Sequence, residues 1–208
     1  MRKAQVNRKS KETDIAVILN IDGTGETKIK TGISFLDHML ELFAFWGHFD
    51  LEIFTLKSDL KVDKHHTNED LGIVLGLSFK KALGDKVGIQ RIGFASVPME
   101  KVVASVNVDI SGRGSFVLNS DPRQDGFSKL VDGSSEQKDK YDLTYAIHFF
   151  EAFAKNLGMN LNIKIEPVDP DLHTNLEPAF KALGKALDQA TQIDPRRKGV
   201  PSTKGIID

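Results

Sequence analysis

The chain repeats itself, and this repeat constrains the possible folds more than any other feature of the sequence. Residues 16–22 (AVILNID) and 104–109 (ASVNVD) both alternate with the period of a strand and run into a glycine turn. Residues 38–44 (HMLELFA) and 148–154 (HFFEAFA) both begin with His and have the pattern of an amphipathic helix. The same kinds of segment therefore recur in the same order.

Each half of the repeat continues with a strand and a second helix. Strand-like runs follow the first helices at residues 49–53 and 160–165, and long helical patterns come next at residues 65–83 and 173–190. The order in each half is strand, helix, strand, helix. This order predicts an α/β (α+β) protein made of two similar halves, each a small sheet covered by two helices.

We place the first repeat half at residues 1–95 and the second at residues 96–208. The second half is longer because of a polar stretch near residues 120–141, whose composition predicts a surface loop. It ends in a tail containing PSTKG at residues 201–205, where a hydroxyl beside a lysine in a glycine-containing loop could bind an anion. Arg113, in a glycine turn after a predicted strand, is a second candidate for anion binding.

Histidine is the residue type that most suggests chemistry. Five of the six histidines lie at predicted helix starts, at equivalent positions of the two halves: His38, His65, His66, His148 and His173. Glu69 follows His65 by four positions and Glu177 follows His173 by four, which puts each pair on one helix face. A single pair of this kind is usually a solvated ion pair, but its recurrence beside further histidines predicts a metal site.

The composition limits which ligands and partners such a site has. The chain has no cysteine, so any metal must be bound by nitrogen and oxygen, a donor set that suits manganese, iron, zinc, cobalt or nickel alike. His48 follows Gly47, which is expected to end the first helix, and we interpret it as a loop histidine.

Charge and hydropathy exclude several classes of function. The formal net charge of -1 gives no strong field for nucleic acid or an anionic membrane. The first residues are too polar for a signal peptide, and no apolar run approaches the roughly 20 residues that span a bilayer. A cytoplasmic protein without nucleic-acid or membrane partners is expected. Neither a P-loop, nor a dinucleotide fingerprint, nor a serine nucleophile elbow is present.

Nine short motifs occur together, in the same order, in one known family. They are DGTG (22–25), FLDHML (35–40), HHTNED (65–70), GIQR (88–91), VPME (97–100), DISGR (109–113), HFF (148–150), FKA (180–182) and PSTKG (201–205). The chain thereby resembles the imidazoleglycerol-phosphate dehydratases over nearly its whole length.

The resemblance implies a site, a cofactor and an assembly. It implies two Mn²⁺ per active site with the ligands His38, His65, His66, Glu69, His148, His173 and Glu177. It implies substrate contacts from Glu12, Arg91, Arg113, Lys181, Ser202 and Lys204, with Ser202 and the basic residues near a phosphate. It further implies a symmetric homo-oligomer of 24 subunits, with active sites between subunits.

The implied reaction removes water from D-erythro-imidazoleglycerol phosphate to give imidazole acetol phosphate, in histidine biosynthesis. The proton to be removed lies on a carbon without a neighbouring carbonyl, so the imidazole ring must accept the charge with the help of cations. The candidate bases are Glu12, Glu69 and Glu177. We favour Glu12, because a bound metal lowers the basicity of a ligand glutamate.

Several residues depart from the family pattern. Thr174 stands where a sixth ligand histidine is expected, so binding of the second metal ion is an open question. The other departures are Leu42, Trp46, Thr144 and Glu151, at positions that usually hold Gln, His, Glu and Arg. Two alternatives therefore remain: a divergent member with an altered metal site that acts on another small phosphorylated substrate, and a non-catalytic metal-binding or assembly protein.

Overall fold

The computed structural model describes residues 1–119 and 140–207. Within these ranges the strands are β1 (Lys3–Lys9), β2 (Asp14–Asn20), β3 (Thr27–Lys30), β4 (Asp50–Lys57), β5 (Ile92–Met99), β6 (Val102–Asp109), β7 (Ser115–Asn119) and β8 (Asn160–Glu166). The helices are α1 (Ser34–Gly47), α2 (His65–Leu83), α3 (Leu143–Leu157) and α4 (Leu172–Thr191). Both helices expected in each half are present.

The two sheets repeat one topology. The first has the order β1-β2-β4-β3 and the second the order β5-β6-β8-β7. In each sheet the first three strands pair antiparallel, and the last strand pairs parallel with its neighbour. The duplicated α/β fold is therefore confirmed; how the chain divides into domains stays a prediction.

The predicted order of strand, helix, strand, helix was incomplete in both halves. It missed β1, β3, β5 and β7, which are the four edge strands of the two sheets. Few of their side chains are buried: one in β1, one in β3 and none in β7. Edge strands of this kind lack the strong alternation of apolar and polar residues by which β2 and β6 were found.

The helix starts also differ from the prediction for two of the histidines. His65, His66 and His173 lie in the first turn of their helices, as predicted. His38 and His148 lie in the second turn instead, because α1 begins at Ser34 and α3 at Leu143. At α3 the cause is a cap, since the Asp142 carboxylate accepts a hydrogen bond from the backbone N–H of Tyr145. His48 lies in the left-handed turn after α1, as predicted.

The helices of the two halves pack on one another between the two sheets. Helix α2 packs on α3 and α1 packs on α4, so each pair takes one helix from each half. Glycine allows the close approach: a Cβ at Gly76 would lie 2.7 Å from the carbonyl oxygen of Phe153, and one at Gly184 only 2.3 Å from that of Phe43. Side chains at the start of a helix in one half consequently meet side chains from the other half.

The predicted surface loop lies mostly outside the described residues, which resume at residue 140. At its end the prediction was wrong. Tyr141 is completely buried and stacks on Phe35 with ring centroids 4.9 Å apart. Tyr141, at the end of a stretch of mostly polar composition, is therefore part of the core and not of the surface. Among the helices described, none has the length and apolar character needed to cross a membrane.

Candidate metal and substrate site

One cluster of ligand-type side chains joins α1 to α4. His38, His173 and Glu177 each offer one atom, and these atoms all lie within 4.8 Å of one another. Glu177 Oε2 lies 2.7 Å from His173 Nε2 and 3.6 Å from His38 Nε2. We call these three residues the first cluster. Two imidazoles and a carboxylate that converge in this way suit a divalent transition-metal ion.

Lys181 lies on the first cluster. Its Nζ is 2.6 Å from Glu177 Oε1, the oxygen that faces away from the imidazoles. Burial tends to raise the pKa of Glu177, but hydrogen bonds from Lys181 and His173 outweigh it and lower that pKa below its usual value. Glu177 is thus kept ionised, with Oε2 directed at the two histidines. The predicted contact of Lys181 with substrate stays a prediction.

A second cluster joins α2 to α3 and consists of His65, Glu69 and His148. His65 Nε2 lies 3.6 Å from Glu69 Oε2, and the rings of His65 and His148 are 4.4 Å apart. The cluster opens into a pocket of about 260 Å³ that is also lined by Glu151 and Lys155. Among the described residues, no group hydrogen-bonds to the buried Nδ1 of His148. A buried nitrogen without a partner is unfavourable, and a bound metal ion would satisfy it. The ligand atoms of these three residues are more widely spaced than those of the first cluster, which lie within 4.8 Å of one another.

Two tyrosines hold α3 against the start of α2. The Tyr145 hydroxyl donates to Asp63 Oδ1 at 2.7 Å, and the Tyr141 hydroxyl donates to Asn68 Oδ1 at 2.7 Å. The Asn68 amide in turn donates to the carbonyl oxygen of Tyr145. Burial, followed by the hydrogen bond to Asp63, raises the pKa of Tyr145 to about 12. These bonds fix the first turns of both helices and so place His148 beside His65.

His66 lies outside both clusters. Its Nδ1 is 3.0 Å from Asp59 Oδ2 and 3.6 Å from Glu12 Oε2. The hydrogen bond to Asp59, followed by the charge of Glu12, raises the pKa of His66. The sequence had suggested Glu12 and His66 but not Asp59, which precedes His66 by seven residues in a loop. Neither helix nor strand periodicity could have linked these two positions.

Thr174 occupies the position in α4 that His66 occupies in α2. Its backbone N–H and its hydroxyl both donate to Asp171 Oδ2, each at 3.0 Å. Asp171 is the N-cap residue of α4, so the Thr174 hydroxyl is used to cap the helix. The chain therefore has no imidazole at this place, and the hydroxyl that replaces it already has a partner.

The other departures from the family pattern lie in different surroundings. Leu42 packs against the core, Trp46 lies under the Lys185 ammonium with 5.4 Å between Nζ and the ring centroid, and Thr144 is exposed. Only Glu151 of these four lines the pocket of a cluster, and there its carboxylate is paired with Lys155 at 2.7 Å.

A separate cationic pocket of about 200 Å³ collects most of the predicted substrate residues. It is lined by Arg91, Ser111, Arg113, Ser202, Thr203, Lys204 and Ile206. Arg91 also holds the tail in place, because Nε lies 2.6 Å from Asp109 Oδ1 and Nη1 donates to the carbonyl oxygen of Pro201. Ser111 and Thr203 were not among the residues predicted to contact substrate. Three cations and three hydroxyls in one pocket suit a phosphate group.

Two clusters of imidazole and carboxylate groups and a cationic pocket, carried on one duplicated α/β fold, are typical of an enzyme. The family model for imidazoleglycerol-phosphate dehydratase matches residues 31–187. A protein of that name from Pelobacter propionicus is 48% identical over 206 residues, which are 99% of both chains. One from Caldanaerobacter subterraneus is 47% identical over 207 residues and the full length of both. The chain belongs to the imidazoleglycerol-phosphate dehydratase family and is a hydro-lyase.

Solved structures agree with this assignment. The imidazoleglycerol-phosphate dehydratase of Pyrococcus furiosus aligns with a TM-score of 0.77 at 31% identity, over 97% of this chain and 99% of that one. The enzyme of Staphylococcus aureus aligns with a TM-score of 0.75 at 29% identity, over 92% and 99%.

Proposed function

We propose that the chain catalyses the metal-dependent dehydration of D-erythro-imidazoleglycerol phosphate to imidazole acetol phosphate in the cytoplasm. Family membership supports the dehydratase activity and its place in histidine biosynthesis. The observation that carries the finer proposal is the presence, in one chain, of two imidazole–carboxylate clusters and a cationic pocket.

The two clusters are the proposed sites for two Mn²⁺ ions. His38, His173 and Glu177 would hold one, His65, Glu69 and His148 the other, and His66 offers a further imidazole. When bound, the ions would stabilise negative charge that develops on the substrate's imidazole ring. The choice of manganese rests on the family resemblance, and the nitrogen and oxygen donors are compatible with it.

The cationic pocket is the proposed site of the substrate's phosphate. Arg113 and Lys204 supply charge, and Ser202 supplies a hydroxyl donor. Arg91 orients the tail that carries Ser202 and Lys204. Charge-assisted hydrogen bonds of this kind fix one end of the substrate and leave the imidazole end for the clusters.

Glu12 is the proposed general base. Its side chain is 55% exposed and belongs to neither cluster, although it lies beside His66. Glu69 and Glu177 remain the weaker candidates because they are proposed ligands. The carboxylate would take the proton from carbon, and the hydroxyl would leave as water with a proton supplied by a general acid.

We also propose that the active site is completed by self-association, in the 24-subunit assembly that the resemblance implies. In the described part of the chain no hydrogen bond or ion pair joins the cationic pocket to either cluster. Large apolar side chains are also exposed, with Phe94 at 68%, Phe45 at 61% and Ile92 at 60%. Apolar exposure on this scale supports burial against other subunits.

The alternative is a divergent family member that acts on another small phosphorylated substrate. It is favoured by Thr174, which brings no imidazole, and by the Glu151–Lys155 pair in the pocket of the second cluster. Such an enzyme would bind metal and phosphate but would not dehydrate imidazoleglycerol phosphate.

The deciding experiment measures this dehydration with chelator-treated protein, before and after addition of Mn²⁺. Turnover restored by manganese supports the proposal, whereas folded, metal-loaded protein without turnover supports the alternative. Glu12→Gln should abolish turnover and leave the bound metal content unchanged. A nearly normal rate in that variant would refute the role of Glu12 as base.

A further inference from the structure

The His66 ring has one nitrogen facing carboxylates. Nδ1 lies 3.0 Å from Asp59 Oδ2 and 3.6 Å from Glu12 Oε2. An ionised carboxylate is only an acceptor, so the hydrogen bond to Asp59 requires that Nδ1 carry the proton. In the neutral ring the lone pair then belongs to Nε2, which is the form that binds a metal ion through this atom.

Asp59 is itself held by the helix turn that carries His66. Its backbone N–H donates to the hydroxyl of Thr67, which is completely buried, and its carbonyl oxygen accepts from the N–H groups of Val62 and Asp63. The Asp59 side chain is only 20% exposed, compared with 47% for His66. The carboxylate is therefore the fixed partner and the imidazole the more accessible one.

We propose that Asp59 is a positioning residue, which fixes the tautomer and the orientation of His66 so that Nε2 is presented to a divalent metal ion. This inference rests on the proposed metal-dependent function. The inference goes beyond the proposed function because it assigns a role to the carboxylate of Asp59, which is not among the proposed metal ligands. The effect reaches the ion through His66 alone, and Asp59 does not bind the metal.

The described part of the second half has no equivalent pair. Thr174, at the position of His66, is bonded to Asp171, which lies on its own helix cap. A metal ion can therefore take an oriented imidazole from this place in the first half only. No second copy of the pair can compensate for the loss of Asp59, so we expect its removal to cause a measurable loss of metal affinity.

The test is a double-mutant cycle on manganese affinity, measured by titration calorimetry of the chelator-treated full-length protein. Asp59→Ala is expected to lower the affinity about 10- to 100-fold, the effect typical of removing the hydrogen-bond partner of a metal-binding histidine. His66→Ala should also lower it. In the Asp59→Ala/His66→Ala double variant no further loss is expected, because the partner through which Asp59 acts is already absent.

Two more variants keep the test decisive. Asp59→Asn conserves volume and an acceptor oxygen, so it should fold and give a smaller loss than alanine. Asp85 is an exposed residue just beyond the C-terminal end of α2, at the other end of the helix from His66. Asp85→Ala also removes one carboxylate charge and should leave the manganese affinity unchanged. Thermal unfolding of the metal-free variants shows whether any loss merely reflects a damaged fold.

Two results would overturn the inference while leaving the proposed function in place. One is wild-type affinity in both Asp59 variants. The other is an equal loss from Asp59→Ala with and without His66, which would make Asp59 a ligand in its own right, in the group formed by Glu12, Asp59 and His66. Wild-type protein that binds no manganese would instead remove the proposed metal dependence and this inference together.

Discussion

Lys181 and Glu177 form an ion pair across one turn of α4, with Nζ 2.6 Å from Oε1, and the other carboxylate oxygen faces two histidines. Both side chains are largely buried, at 21% and 15% exposure. A single carboxylate thus pairs with a lysine through one oxygen and faces the histidines of the first cluster through the other.

Removing the Lys181 cation should make the stability of the protein depend more strongly on added metal. Lys181→Met leaves Glu177 ionised and partly buried without its lysine, which should lower the free energy of unfolding by about 1–3 kcal/mol. Added Mn²⁺ should restore more stability to the variant than to the wild type, since the ion replaces the missing charge. Thermal unfolding with and without Mn²⁺ measures both effects. Lys185→Met, on the same helix, is the control, and equal behaviour of the two variants would contradict the prediction.

The two tyrosines provide an optical test of how α3 is held. The pKa of Tyr145 is raised to about 12 by burial and by Asp63, and complete burial raises that of Tyr141 well above its usual value. We expect little phenolate in the folded protein near pH ~10, where tyrosines of the urea-unfolded chain ionise. Ultraviolet difference spectroscopy measures this, and Asp63→Asn should lower the pKa of Tyr145.

The same shift predicts a loss of stability at high pH. The folded-state pKa of Tyr145 lies above its unfolded value, so the folded protein holds the proton more tightly. The stabilisation is complete below pH ~10 and is lost as the pH rises from there to about 12. Urea unfolding across this range should show the free energy of unfolding falling, and less steeply in Tyr145→Phe than in the wild type.

Thr174→Val tests whether the hydroxyl at the expected histidine position binds metal. Because that hydroxyl donates to Asp171, its loss should lower the free energy of unfolding by about 0.5–1.5 kcal/mol and leave manganese affinity unchanged. Metal titration and chemical unfolding of the same preparation separate the two effects. A marked fall in affinity would identify Thr174 as a ligand.

The two arginines of the cationic pocket should differ in what they stabilise. Arg113→Gln is expected to weaken binding of inorganic phosphate by about 10- to 100-fold, the range for one charged hydrogen bond, with the unfolding free energy unchanged. Arg91→Gln should weaken phosphate and also destabilise the fold, because Arg91 is bonded to Asp109 and to the Pro201 carbonyl. Calorimetric titration with phosphate, paired with thermal unfolding, distinguishes them; equal stability losses would contradict this division.

The sequence predicted what is local and periodic. The helices and the pairing of His65 with Glu69 and of His173 with Glu177 follow from a 3.6-residue period. The Glu177–Lys181 pair has the same four-residue spacing, yet the lysine was assigned to substrate through resemblance alone. The edge strands were not predicted because so few of their side chains are buried.

Which helices pack together was not accessible from the repeat. Two similar halves could each have closed on themselves, and nothing in the periodicity excludes this. The choice is made by tertiary contacts such as those of Gly76 with Phe153 and of Gly184 with Phe43, between residues far apart in sequence. Asp59 was missed for a related reason, because a loop brings it to His66.

The exchange of helix partners has a consequence for any single half of the chain. Each cluster takes His from one half and a His–Glu pair from the other: His38 with α4, and His148 with α2. One half alone would carry only part of each cluster of imidazole and carboxylate groups, and folding of that half could complete neither cluster. Both sets are completed only where the two halves pack together, through α1 on α4 and α2 on α3.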